Sequence, residues 1–287
     1  MSDTGKGLSA LHLGSLLLGG TALFSKLIET TALEITLWRS FIAAGALLLL
    51  LLLRGSQVRL GSVRDYAIVL LLGALLAVHW VTYFHSMQVS SVAIGIIAFF
   101  SHPVISALLE PLFARQKPRV ADLLTALWVL CGIAIMLPDL NLDRGATQGV
   151  LWGLFSALLF SVRNIIYKRN FSHYGSSLAM MYQCLIVGLL LLPFAGDFIV
   201  STTLDNWLLL LVLGVLFTAT PHTLFSFSLK LLSVKTASLI MCLVPLYAAV
   251  LAALLLGEIP DAATLVGGVM ILSAAIFESI QTHKGPR

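Results

Sequence analysis

Apolar residues run along this chain in long blocks, with little of the alternation that marks strands, and short polar links separate the blocks. A membrane-spanning helix needs about 20 mostly apolar residues. Ten blocks reach or approach that length: 8–28, 35–53, 65–87, 91–113, 120–138, 148–168, 177–196, 205–228, 236–256 and 262–281. The links carry turn residues or charges, as in Arg54-Gly55-Ser56, Pro138-Asp139 and Gly257-Glu258, and none has room for a soluble domain. The pattern predicts an all-α polytopic membrane protein of ten transmembrane helices.

Composition strengthens that prediction. The chain is 59% apolar and 10% charged over 287 residues, against about 25% charged in a soluble domain. A net charge of +4 would hint at nucleic acid in a soluble protein. Here the basic residues sit in the links, so orientation in the membrane explains them and no nucleic-acid partner is expected. The N-terminus, the even-numbered links and the C-terminus hold 13 of the 17 Lys and Arg: Lys6, Arg54, Arg59, Arg64, Arg115, Lys117, Arg119, Lys168, Arg169, Lys230, Lys235, Lys284 and Arg287. The odd-numbered links hold Arg144 and the acids Glu29, Glu34, Asp139, Asp143, Asp197, Asp205, Glu258 and Asp261. Both termini are therefore expected in the cytoplasm, with the chain in the inner membrane and no cleavable signal peptide. Cys131, Cys184 and Cys242 each lie inside an apolar block, without metal or disulfide spacing.

Two of the blocks resemble each other. Ser91–Pro118 and Ser233–Pro260 align at a shift of 142 residues, which places Ser91-Val92 on Ser233-Val234, Pro103 on Pro245 and Pro118 on Pro260. A proline in mid-helix removes a backbone donor and clashes with the carbonyl one turn back. Matching breaks in the two halves of a membrane protein point to a transporter's binding site. The same shift carries 8–137 onto 150–279, Lys26 onto Lys168 and Ser86 onto Ser228. Five helices per half is an odd number, so the second repeat is expected inverted. The basic link around Arg115 accordingly falls on the acidic link at Glu258.

Ten helices in two such repeats resemble the drug/metabolite transporter superfamily, in its EamA-type branch. The residues that carry the resemblance are Ser91-Val92 through Pro103, Ser233-Val234 through Pro245 to Leu256-Gly257-Glu258, and the pair Gly267-Gly268. Ala114-Arg115-Gln116 departs from the pattern, where the family often has a glutamate. The resemblance implies a secondary transporter of small metabolites, often an exporter, with a cavity near the midplane between helices one, three, four, six, eight and nine.

Candidate site residues come from polar groups deep in the blocks, which are costly there and usually face a bundle interior or a wet cavity. In helix four, His102 and Ser101 adjoin Pro103, with small Gly95, Ala98 and Ser106 on the same face. His102 either lines a cavity or is a neutral histidine satisfied by a neighbouring carbonyl. In helix three, His79, Tyr83 and Ser86 share a face beside Trp80, suited to stacking on a metabolite or to an interfacial belt. Helix eight carries Thr218, His222 and Ser226 at intervals of four, beside Pro221. Helix nine carries Ser238, Cys242, Pro245 and Ala249 on its proline face, with Tyr247 off that line, against a cavity or lipid. Helix six shows Gly149, Gly153, Ala157 and Ser161 every four residues, a stripe that marks tight packing. Asn164 at its inner end is a contact for substrate, whereas Arg163 is expected to snorkel to the cytoplasmic surface. Lys26 and Arg39, near the outer ends of helices one and two, form a gate or anion clamp, or a salt-bridge cluster with Glu29 and Glu34. Glu110 is expected to pair structurally near Arg115.

No acid lies at the midplane of any block, and no phosphate loop or hydrolase motif is present. No cofactor or resident metal is expected. The leading reading is a permease working by alternating access on amino acids or organic cations, since few buried charges are apparent. A metalloenzyme using His79, His102 and His222, or a channel, is the alternative. A homodimer is left open.

Overall fold

The computed structural model describes residues 2–137, 141, 143–196, 202–232 and 234–281. Pro138, Asp139, Asp197, Ser233, Lys284 and Arg287 lie outside the described residues, as do the side chains of Ser226, Lys230, Lys235 and Ser238. Among the described residues nine helices are long and apolar enough to cross a membrane: Asp3–Leu27, Ala32–Leu53, Val63–Val89, Val92–Phe113, Gly145–Asn170, Ser176–Phe194, Leu204–Phe225, Leu239–Leu256 and Ala262–Ile280. A shorter apolar helix, Val120–Met136, lies fifth in chain order. With it counted, these elements are called the first to tenth spans. The chain is a multi-pass α-helical membrane protein.

Side-chain caps set where several spans begin. Thr31 Oγ1 accepts the Glu34 amide, Ser62 Oγ the Asp65 amide, and Asp261 Oδ1 the Thr264 amide at 2.7 Å. Each satisfies one of the orphan donors of a first helical turn. The ninth span stops at Gly257, whose φ of 68° suits glycine at a left-handed helix end.

The third span packs on the sixth and the second on the seventh; the first lies between the eighth and ninth, and the fifth against the tenth. Small residues permit the closest approach. A Cβ on Gly153 would stand 2.7 Å from the Ala98 Cβ, so the stripe of the sixth span does seat the fourth. Ser86 Oγ donates to the Gly149 carbonyl at 2.6 Å, fixing the third span to the sixth by the same stripe. Leucines of the outward faces, among them Leu49, Leu53, Leu124 and Leu254, are exposed in a way that suits lipid contact.

Candidate functional site

The fourth span is two half-helices. Val92–Phe99 stops, Phe100 and Ser101 turn, and His102–Phe113 restarts with Pro103 in its first turn. Pro103 has no amide proton for the Phe99 carbonyl, and a first helical turn is where a proline is tolerated. Ser101 Oγ donates to the Ala98 carbonyl at 2.8 Å, so this hydroxyl supports the turn. The His102 carbonyl accepts Ser161 Oγ of the sixth span at 2.9 Å. The His102 ring, half-buried, lies among Phe160, Phe99 and Phe100 at centroid distances of 4.9, 5.0 and 5.4 Å. The ninth span breaks in register with the fourth. Val234–Met241 ends and Val244–Leu256 restarts with Pro245 in its first turn.

His79 of the third span is held by the sixth. Ser156 Oγ donates to the His79 carbonyl at 3.0 Å, while His79 Nδ1 lies 2.7 Å from Ser156 Oγ and 3.1 Å from the Ser156 carbonyl. A hydroxyl has one proton to give and a carbonyl has none, so Nδ1 carries the hydrogen and Nε2 the lone pair. The His79 ring stacks on Phe99 at 5.2 Å and meets Phe160 at 5.0 Å. His79 and His102 thus share two phenylalanines. Tyr83 adds an edge contact to Phe99 at 5.2 Å. Trp80 faces a different partner: the Arg39 guanidinium lies 4.0 Å from its ring centroid and 5.0 Å from that of Phe84.

Of the two alternatives for Arg39, the salt-bridge cluster with Glu29 and Glu34 does not form among the described residues. Its side chain is 3% exposed and points into the bundle, and its Nε and Nη1 have no hydrogen-bond partner among the described residues. Glu34 is bound instead by Thr30 and Thr31. Arg163 also departs from expectation. Rather than reaching for the surface, it donates from Nε and Nη2 to Gln183 Oε1 at 2.9 and 2.6 Å and from Nη1 to Asn164 Oδ1 at 2.7 Å. Both guanidinium groups stand within electrostatic range of His79, His222 and Cys184. The second, third, sixth, seventh and eighth spans therefore converge on one basic, aromatic region.

In the eighth span a π turn, Val215–Ala219, precedes Pro221. Thr218 and Thr220 hydroxyls donate five residues back, to the Leu213 and Val215 carbonyls at 2.8 and 2.9 Å. The carbonyl that Pro221 leaves without a donor, that of Phe217, accepts Thr21 Oγ1 of the first span at 2.9 Å. The widened turn shifts Thr218 off the regular four-residue line expected with His222, and its hydroxyl serves the helix. His222 is half-buried. Tyr247 of the ninth span places its hydroxyl 3.1 Å from His12 Nδ1 of the first.

Lys26 sits at the bundle end that the charge bias assigns to the outside. Its Nζ donates to the Gln88 and Ser90 carbonyls at 3.2 and 3.0 Å and lies 4.0 Å from Glu258. Glu258 Oε2 in turn accepts the Val92 amide at 2.8 Å. Lys26 therefore joins the two halves of the chain rather than pairing with Glu29. At the opposite end Glu110 pairs with Lys168 at 2.8 Å, not with Arg115.

Sequence reasoning missed Gln183, Thr36 and the buried pair Asp122 and Glu278. Gln183 stands out as the amide in an apolar block, and Asp122 caps its own helix beside Arg119. Among the described residues no three His, Cys, Asp or Glu converge to hold a metal ion, so the geometry does not support a metalloenzyme built on His79, His102 and His222.

A model of the EamA-like transporter family matches the chain twice, over residues 5–137 and 147–280. The Bacillus subtilis uncharacterized transporter YxxF is 30% identical over 220 residues, covering 74% of this chain and 69% of that protein. The Pseudomonas aeruginosa pseudopaline exporter CntI is 29% identical over 257 residues, 88% of each chain. A protein of known crystal structure superposes with a TM-score of 0.63 over 99% of both chains at 17% identity, a likeness of fold alone. The relatives are transporters rather than enzymes, and the chain belongs to the EamA-like transporter family.

Proposed function

We propose that the protein is a secondary transporter that moves small metabolites, amino acids among them, by alternating access between two inverted five-helix repeats, 8–137 and 150–279. The observation that carries this is the pair of broken spans. The fourth and ninth stop at Phe99 and Met241 and restart at His102 and Val244, and irregular backbone at membrane depth is tolerated where it is buried in protein or lines a cavity. The double match to one family model supports the repeat. The Lys and Arg bias supports cytoplasmic termini.

In this reading His102, Asn164, His222 and Tyr247, all half-buried, present polar groups to the substrate path. Trp80 and Tyr83 form its aromatic wall, and Pro103, Pro221 and Pro245 set its backbone. His79, Ser101 and Thr218 hold that wall in place through their own hydrogen bonds. Lys26 with Glu258 closes the outer end. The likeness to a pseudopaline exporter supports outward transport. Counterflow in proteoliposomes tests the proposal: saturable exchange of at least one amino acid, nucleobase, carboxylate or organic cation is expected. No exchange across such a panel sinks it, and a non-saturating conductance makes the protein a channel.

A further inference from the structure

The organic-cation class fits poorly with what fills the centre of the bundle. Arg39 brings a guanidinium that stays protonated at any physiological pH into a region with no described acid beside it. Five described acids in or beside the spans are held by other partners. Glu34 is held by Thr30 and Thr31, Glu110 by Lys168, Glu258 by Lys26 and the Val92 amide, and Asp122 by Arg119; Thr125 and Arg119 hold Glu278. Arg163, the second cation of the region, is bound by the neutral amides Gln183 and Asn164, which leave its charge uncancelled. The ring faces of Trp80 and Phe84 attract the Arg39 cation, but such contacts are weak beside the penalty for burying an ion.

A second observation lies one turn away. Thr36 Oγ1, on the same helix face as Arg39 and fully buried, also has no partner among the described residues. Natural proteins rarely leave such atoms unsatisfied, and two adjacent ones call for an acceptor. A carboxylate supplies it, with oxygens that accept from Nε and Nη1 of Arg39 and from the Thr36 hydroxyl.

We infer that the transported substrate carries a carboxylate or similarly small anionic group, anchored by Arg39 and Thr36 and drawn in by Arg163. This rests on the transporter reading above and narrows its substrate class. The full chain in proteoliposomes is offered matched pairs: succinate against succinamide, and N-acetylglycine against N-acetylglycinamide, with choline as the cation. Counterflow and thermal stabilisation of the purified protein are read for each. The carboxylate of each pair is expected to exceed its amide by about 10-fold or more, as in sites built around a hydrogen-bonded group. R39Q is expected to erase that preference, R163Q to reduce it, and R39K to keep part of it.

If R39Q does not fold, T36V decides, because it keeps the shape and removes only an unpartnered hydroxyl. A purely structural Thr36 predicts unchanged or raised thermal stability and unchanged transport. The inference predicts a several-fold loss of carboxylate affinity. Equal handling of amides and carboxylates, or choline exchange indifferent to R39Q, overturns the inference and leaves the transporter standing. Stabilisation by chloride alone, with no added carboxylate effect, also overturns it and makes the site a resident counter-ion pocket. No exchange of any compound brings down the transporter reading itself.

Discussion

Two histidines that share the same phenylalanines differ in what holds them. His79 is locked by Ser156 through both side chain and backbone, whereas His102 is fixed through its carbonyl and leaves its ring among aromatic faces. Ser156→Ala therefore weakens the joint between the third and sixth spans by about 1 kcal/mol. A lowered melting temperature of the purified protein, with transport retained, is the expected result. His102→Ala is expected to cut transport at least ~10-fold while membrane expression stays normal, since the ring is offered to the path and its bond to Ser161 is a backbone one. Wild-type rates would make His102 structural. Helical spacing put His79 and Tyr83 on one face, but it did not disclose Phe99 and Phe160, the rings that pack on both histidines. Nor did it disclose the direction of Arg39 and Arg163. Snorkelling is the default for an arginine near a span end, and what overrides it for Arg163 is Gln183, a residue of another span whose register no single block discloses.

At the scale of elements, the two aligned prolines marked breaks, whereas Pro111 lies inside His102–Phe113 without ending it. The breaks of the fourth and ninth spans follow from Pro103 and Pro245. Pro221 likewise marks the eighth, although its consequence there is a π turn rather than a gap. The first span also turns, at Ala22-Leu23, with no proline to announce it; its short-range bonds run from Ala22 to Gly19 and from Leu23 to Gly20. Pro103→Ala restores a donor for the Phe99 carbonyl and is expected to straighten the span. Transport should then fall ~10-fold or more without loss of thermal stability; unchanged transport would remove the break from the mechanism. The cap of the tenth span gives a pH dependence. Hydrogen bonds from Thr264 hold the Asp261 carboxyl below its ordinary value. A carboxylate whose folded pKa is depressed stabilises fully above the ordinary value of about 3.9 and loses that contribution as the pH falls through the lower folded one. Melting of wild type and Asp261→Ala should accordingly differ at neutral pH, by less than the ~1 kcal/mol typical of a cap, and converge under strong acid.

For the molecule as a whole, one lysine bridges the two halves at the end that the charge bias assigns to the outside, and the proposed mechanism makes it the closure there. Lys26 grips the Gln88 carbonyl at the end of the third span and the Ser90 carbonyl that follows it, and faces Glu258 of the link between the ninth and tenth. Lys26→Glu sets two acids against each other there. Labelling of the buried Cys184 by a membrane-impermeant maleimide added outside, with Cys131 and Cys242 replaced by serine, should rise. The double exchange Lys26→Glu with Glu258→Lys should bring it back toward wild type. No change in either variant would mean that this pair does not hold the outer end shut. Nine of the ten blocks were readable as spans because a bilayer demands long apolar helices, while the fifth forms the shorter helix Val120–Met136; the bridge was not, because it joins residues far apart in the chain.

The seam at the centre of the fourth span also bears on how the protein is made. The carbonyl of His102, beside that seam, accepts the hydroxyl of Ser161, 59 residues further along the chain. At a ribosomal pace of about 5–20 residues per second, the first half waits in the bilayer for roughly 3–12 s before that hydroxyl arrives. Val92–Phe99 has only 8 residues, too few to cross the membrane alone. The nascent first half is thus an unfinished object that needs the sixth span to seal it, and the ribosome, by delivering that span next but one, acts as the last step of its assembly.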